Sequence, residues 1–219
     1  PALPVRYTVH KLSDGATTSV RSVHAMQGAK TICVAAVSSQ RPGAAFEHEE
    51  AVAGPVPDPA SQPDAASLVE QHRSALAGHP LEFIAAKSAV EMRLVDARRH
   101  LSRPMIPGSQ DRFQCWVRTP RRLPDDPVAH QCAVAYLTAY VLAHVPPLQV
   151  WPYTQTMRAP AASVNHALWF YRPMRADEWM LLEVSCPVAA AGRALATAKV
   201  YDVQEHIVAI TTQECVYRA

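Results

Sequence analysis

No run of eighteen apolar residues occurs in this sequence. The most apolar segment, Val128 to Val145, is interrupted by His130, Gln131, Thr138 and His144, so a membrane-spanning helix is not expected. Charge of one sign is equally scarce: 21 Lys and Arg stand against 19 Asp and Glu, leaving a formal net charge of +2. That balance exerts no long-range pull on nucleic acid, and any anionic ligand must be held by a local cluster. The five cysteines, at 33, 115, 132, 186 and 215, include no CxxC pair. Their odd number and their setting in apolar runs point to small buried thiols in a reducing compartment, without structural zinc or disulfides. The opening PALPVRYTVH lacks the basic-then-apolar order of a secretory leader. No GxSxG elbow surrounds Ser185, which argues against a serine-hydrolase triad.

What is present is a chain of 219 residues, 49% of them hydrophobic, enough to bury one large core or two small ones. Val5 to Val9, Ser19 to Met26 and Thr31 to Val37 alternate at period two between the turns Asp14-Gly15 and Gly28-Ala29-Lys30, which predicts a three-stranded antiparallel meander. Such a sheet needs a cover for its apolar face. Val5, Tyr7, Val20, Val23, Ile32 and Val34 are expected to pack on the following domain or on a partner subunit. From Gln40 to Asp64 the pattern stops among glycines and prolines, which reads as a linker. Asp64 can cap a short helix, Ala65 to Leu76. The expected organisation is therefore 1–40 as a meander, 41–87 as a linker with a short helix, and 88–219 as a complete domain.

In that last stretch Val90 to Val95 and Arg112 to Thr119 alternate as strands. Asp126-Pro127 then supplies an N-cap and a first-turn proline for a helix running to about His144, where Pro146-Pro147 should stop it. The helix is apolar on most sides and has to be wrapped. The strands to wrap it follow: Asn165 to Tyr171, Glu178 to Ser185, Arg193 to Tyr201 and His206 to Tyr217. The predicted class is α+β, an antiparallel sheet curled around a long central helix, which is the hotdog architecture.

Five stretches carry a resemblance: AFEHEE, PDDPVAHQCAVAYLTAY, SVNHALWFYRPMRADEWMLLEVSCP, GRALATAKVYD and TTQECVYR. In that order and spacing they resemble the acyl-CoA thioesterase II family, double-hotdog thioesterases of bacteria and peroxisomes. The resemblance implies hydrolysis of a fatty acyl-CoA or related acyl thioester by direct attack of bound water, with no metal or redox cofactor. It also implies a first hotdog of which only the meander is present, so that the chain acts as a homo-oligomer or pairs with a chain supplying the missing N-terminal half. The sequence does not fix the location; intracellular settings, cytoplasmic or peroxisomal, are the ones expected.

In that family the water is held by an Asp, a Ser or Thr, and a Gln. Carried over, the Gln falls on Gln213, the Asp position is occupied by Asn165, and the hydroxyl falls within Ser185 to Val188, where Ser185 and Cys186 are the candidates. An amide at 165 cannot accept a proton as a carboxylate would, so a general-base contribution of roughly 100 to 10,000-fold is absent at that position. Asn165 and Gln213 can still orient water through their carbonyl oxygens. The alternative is a protein that binds an acyl thioester without hydrolysing it, or that serves another biosynthetic reaction. Cys186 reads as a buried thiol and His166, beside Trp169 and Phe170, as a hydrogen-bonding residue in the substrate site. Arg98, Arg99, His100, Arg103, Arg121 and Arg122 are loop cations that could grip coenzyme A phosphates. The helix start at Asp126 could present backbone N–H groups to the substrate carbonyl. Nucleic acid and membrane are not expected partners.

Overall fold

The computed structural model describes residues 3–43, 46–74, 76, 81–82, 89–97, 112–150 and 162–217, with the backbone alone for 147–150. The chain divides into two units, Pro1–His48 and Glu49–Ala219. In the first, β1 (Val5–Asp14), β2 (Thr18–Gln27) and β3 (Lys30–Gln40) form an antiparallel meander in sequence order. The β2–β3 turn uses Gly28 at φ 60°, a left-handed conformation that a side chain would resist. Tyr7, Ile32 and Val34, expected to pack on the following domain or on a partner subunit, are exposed in this single chain, and among the described residues of the unit Ala25 is the buried hydrophobic one.

The second unit carries a six-stranded antiparallel sheet in the order β4-β5-β7-β8-β9-β6. Its strands are β4 (Glu91–Leu94), β5 (Phe113–Arg118), β6 (Ala162–Phe170), β7 (Met180–Ala190), β8 (Arg193–Tyr201) and β9 (Ile207–Val216). Two helices accompany them, α1 (Ala65–Gln71) and α2 (Pro127–Val150). Asp64 caps α1 as expected, its carboxylate accepting from Ser67 N at 3.0 Å, and the helix ends at Gln71, earlier than Leu76. The inner face of the sheet is read directly from the alternation: Phe113, Cys115 and Val117, then Met180, Leu182 and Val184, then Ala194, Ala196, Ala198 and Val200 are all buried. The run of alanines on β8 leaves room for α2 to lie close against the middle of the sheet, where Val134, Leu137, Val141 and Val145 complete the core. This is the hotdog arrangement that the periodicities predict. By length and composition Pro127–Pro146 would also suffice to cross a bilayer, but here it is the core helix of the sheet.

Two expectations change. Helix α2 does not stop before Pro146-Pro147 but continues to Val150. Pro147 has no N–H to give to the carbonyl of Ala143 one turn earlier. The Tyr217 hydroxyl donates to that carbonyl instead, at 3.1 Å. Of the two carbonyls that Pro146 and Pro147 leave without an N–H, that of Ala143 thus gains a donor from the residue just beyond β9. Residues 49–63, read as a linker, lie along the outer face of the sheet as a strap. Glu49 accepts from Ile207 N at 2.8 Å and from Arg172 at 3.1 Å, and pairs with His206 at 2.9 Å. Ala53 N donates to the buried carboxylate of Glu183 at 3.0 Å, and Trp116 Nε1 to the carbonyl of Pro57 at 3.0 Å. Val52 and Val56 add to an outer cluster of Trp116, Leu181, Tyr201 and Ile207. A proline-rich polar segment gives no periodic signal, yet its backbone carbonyls and two glutamates are what fasten it.

Candidate active site

The inner face of β9 is polar where an apolar strand would serve packing better: Thr211, Gln213 and Cys215 are buried there and face α2. Gln213 is fully buried. Its Nε2 donates to the carbonyl of Ala139 on α2 at 3.0 Å and to Cys215 Sγ at 3.3 Å. Both amide hydrogens are thereby committed, while Oε1 has no hydrogen-bond partner among the described residues. A buried amide oxygen without a donor costs about 1–3 kcal/mol. The arrangement is a fixed acceptor awaiting a donor such as water.

Beside it stands His166. On β6 it pairs in register with Gln213 of β9 and shares that inner face. Its Nε2 lies 2.8 Å from Thr211 Oγ1 and 3.4 Å from Thr138 Oγ1. Thr138 and Ala139 are consecutive on α2, so the histidine and the glutamine meet the same turn of the helix. Burial lowers the pKa of His166 below its ordinary value, favouring the neutral imidazole. A bulge at Val164 shifts the β6–β9 register between Ser163 and Asn165. Ser163 and His166, three residues apart, both face inward because of it.

That register turns Asn165 to the opposite face. Its partner is Glu214, which receives Asn165 Nδ2 at 3.2 Å and gives its own N–H to Asn165 Oδ1 at 3.2 Å. Asn165 is exposed, so the structure does not bring it to Gln213. Ser185 is likewise on the outer side, its hydroxyl bonded to Thr197 Oγ1 at 2.8 Å. Cys186 does reach the inner side, packed with Ala143, Ala194, Cys215 and Tyr217. Burial pushes its thiol up to about 11, which removes it as a thiolate nucleophile near neutral pH.

Asp126 caps α2, accepting from Val128 N at 2.9 Å. It lies 13 residues before Ala139, about 20 Å along the axis at the helical rise per residue. The helix start is held by a separate cluster: His130 Nδ1 accepts from Ala176 N at 3.1 Å, and Asp177 from Leu123 N at 2.9 Å and from Arg175 at 3.0 Å. Arg98, Arg99, His100 and Arg103 lie outside the described residues. Among the described residues no three His, Cys, Asp or Glu side chains converge as a metal site. Thr138 and Thr211 belong to the site and were not nominated from sequence. The available signal was a threonine in the apolar middle of the helix, between His130-Gln131 and His144.

The acyl-CoA thioesterase C-terminal domain model matches residues 54–217. Human acyl-coenzyme A thioesterase 8 is 30% identical over 227 residues, covering 100% of this chain and 69% of that protein. Among solved structures, an acyl-CoA thioesterase II, TesB2, from Mycobacterium marinum matches with a TM-score of 0.73 and 30% identity, over 98% of this chain and 73% of the other. A protein from Alicyclobacillus acidocaldarius described as having a hot dog fold matches with a TM-score of 0.70 at 17% identity, over 98% of this chain and 73% of the other, a likeness of fold alone.

Proposed function

Since the chain belongs to the acyl-CoA thioesterase C-terminal domain family, we propose that it hydrolyses acyl-CoA thioesters with bound water as the nucleophile, at the inner face of β9. The observation that carries this reading is the buried Oε1 of Gln213, without a partner among the described residues. With both its hydrogens spent on Ala139 and Cys215, Gln213 is not a donor for a developing oxyanion. It is an acceptor that fixes one hydrogen of a water and so aims an oxygen lone pair at the thioester carbonyl. The anchoring bonds keep that oxygen from rotating away.

The test is release of free coenzyme A from a panel of short and long acyl-CoAs, with the parent chain beside Gln213→Ala. The parent should turn over, and the variant should lose roughly 100-fold in kcat, the cost of a misplaced reactant. Equal rates would remove Gln213 from the reaction. No thiol release by the parent on any acyl-CoA would sink the hydrolytic reading.

Pairing with a second chain belongs to the same reading. What supports it is the position of β6 at the edge of the sheet, with Val164 and Trp169 exposed along it. Light scattering that returned the mass of one chain at all concentrations would count against it.

A further inference from the structure

A water held by Gln213 needs somewhere to send a proton as it attacks, and Asn165 is neither a base nor on the correct face of the sheet. We propose that His166 is the proton acceptor of this site, its Nδ1 taking the proton from the water that Gln213 positions. The inference rests on the hydrolytic reading above and assigns the group that reading lacks.

The hydrogen bonds orient the ring, and the Thr138 contact favours one tautomer. Thr138 Oγ1 lies 2.8 Å from the carbonyl of Val134 one turn earlier and donates its single hydrogen there. Towards His166 it can therefore only accept. The 3.4 Å approach to His166 Nε2 is then consistent with a hydrogen on Nε2, shared with Thr211 Oγ1 at 2.8 Å. With Nε2 protonated, the neutral ring carries its lone pair on Nδ1. Nδ1 has no hydrogen-bond partner among the described residues. The two threonines thus hold the imidazole in one orientation, with Nε2 towards α2 and β9, and the proposal takes the tautomer in which Nε2 carries the hydrogen and Nδ1 the lone pair.

The surroundings keep the ring neutral. β6 packs on β9 and on α2. The titratable side chains of those elements are Cys215 on the inner face of β9, Glu214 on its outer face, and His130, Cys132, Tyr136, Tyr140 and His144 on α2. Burial is what lowers the affinity of His166 for a proton. The base form is present above the depressed pKa and is lost as pH falls through it.

The step balances without a co-reactant. The water oxygen forms the bond to the thioester carbon, its proton passes to Nδ1, and the carbonyl π pair moves onto oxygen. Collapse of the tetrahedral intermediate breaks the carbon–sulfur bond, and the imidazolium returns the proton to the leaving thiolate. The products are the carboxylic acid and free coenzyme A.

The experiment measures kcat and KM for acyl-CoA hydrolysis between pH 5 and pH 9 (about the span in which a histidine titrates) for the parent, His166→Gln and His166→Ala. We expect kcat to fall about 100-fold or more in both variants, the usual scale for a general base, with KM nearly unchanged. The acidic limb of the parent profile should vanish with the histidine. Added imidazole should restore part of the activity of His166→Ala and none of that of Gln213→Ala. His166→Gln keeps an amide that can bond Thr211, so a folded but inactive variant is the supporting result. An active parent whose His166→Gln variant retains both its rate and its acidic limb overturns the assignment while leaving the thioesterase reading intact. A parent silent on every acyl-CoA overturns both.

Discussion

Asn165 shows how one position can be legible in sequence and still be misplaced in space. The NHALWF stretch marks it as the counterpart of a family carboxylate, but the bulge at Val164 sets which face each neighbour takes, and a bulge has no sequence signature at period two. The consequence is measurable. Asn165→Asp puts a second carboxylate against Glu214, within reach of the 3.2 Å contact the amide now makes. We expect no gain in hydrolysis and a loss of stability of about 0.5–1 kcal/mol at neutral pH, typical of like charges facing across strands. That loss should shrink as pH falls into the range where carboxyl groups protonate, and urea melts at pH 7 and pH 4 check it. A gain of 100-fold in rate would instead put the reacting water on the outer face. Cys186 makes a second residue-scale prediction. With its thiol held protonated up to about 11 by burial, iodoacetamide at pH 8 should label the exposed Cys33 and Cys132 well before Cys186, as peptide mass spectrometry would show.

Among the elements, α2 and the strap depend most on contacts that local pattern cannot reveal. The start of α2 was readable from Asp126-Pro127, and its end was misread because the donor that rescues Ala143 comes from Tyr217, 74 residues away. Tyr217→Phe leaves that buried carbonyl without its donor and should cost about 1–3 kcal/mol, measured as a lower urea midpoint with an unchanged slope. A variant as stable as the parent would show that the last turn of α2 needs no such support. The strap is held at its start by Glu49, whose carboxyl sits below its usual range because of the His206 hydrogen bond first and the Ile207 N–H second. A carboxyl with a depressed folded pKa contributes stability above the unfolded value and loses it as pH falls through the folded one. Acidification should therefore free the strap, seen as a lower protection factor at the Ile207 amide once the intrinsic slowing of exchange in acid is divided out, and Glu49→Gln should show that lower protection already at neutral pH. Protection at Ile207 that is insensitive to both changes would contradict the tether.

For the whole molecule, periodicity was enough to give the architecture. Four strands after one long apolar helix can bury that helix only by curling around it, and the alanines of β8 set how closely it approaches. Gln213 was legible too, through the TTQECVYR stretch that carries the family resemblance. What could not be read were the partners of side chains across distant elements: Thr138 with His166, Ala139 with Gln213, Glu49 with His206. Each joins segments whose own patterns are complete without the other. All of the large buried cluster, from Ala65 to Ala209, lies within the second unit. A truncation to Glu49–Ala219 should therefore keep a single cooperative thermal transition, and a broad, non-cooperative melt would show that the core is not self-sufficient.

The bonds from Gln213 to Ala139 and from Tyr217 to Ala143 each span 74 residues, and this sets an order of events as the chain is made. At translation rates of about 5–20 residues per second, the helix waits roughly 4–15 s before the strand that completes it has even been synthesised. Through that interval the buried turn holding Ala139 and Ala143 has neither its glutamine nor its tyrosine. The candidate site and the proline-containing end of the helix are finished by the same late docking of β9 and the residue after it. A nascent chain stalled before Gln213 would thus expose an apolar helix with an unfinished end to chaperones, and arrival of the final strand ends that exposure.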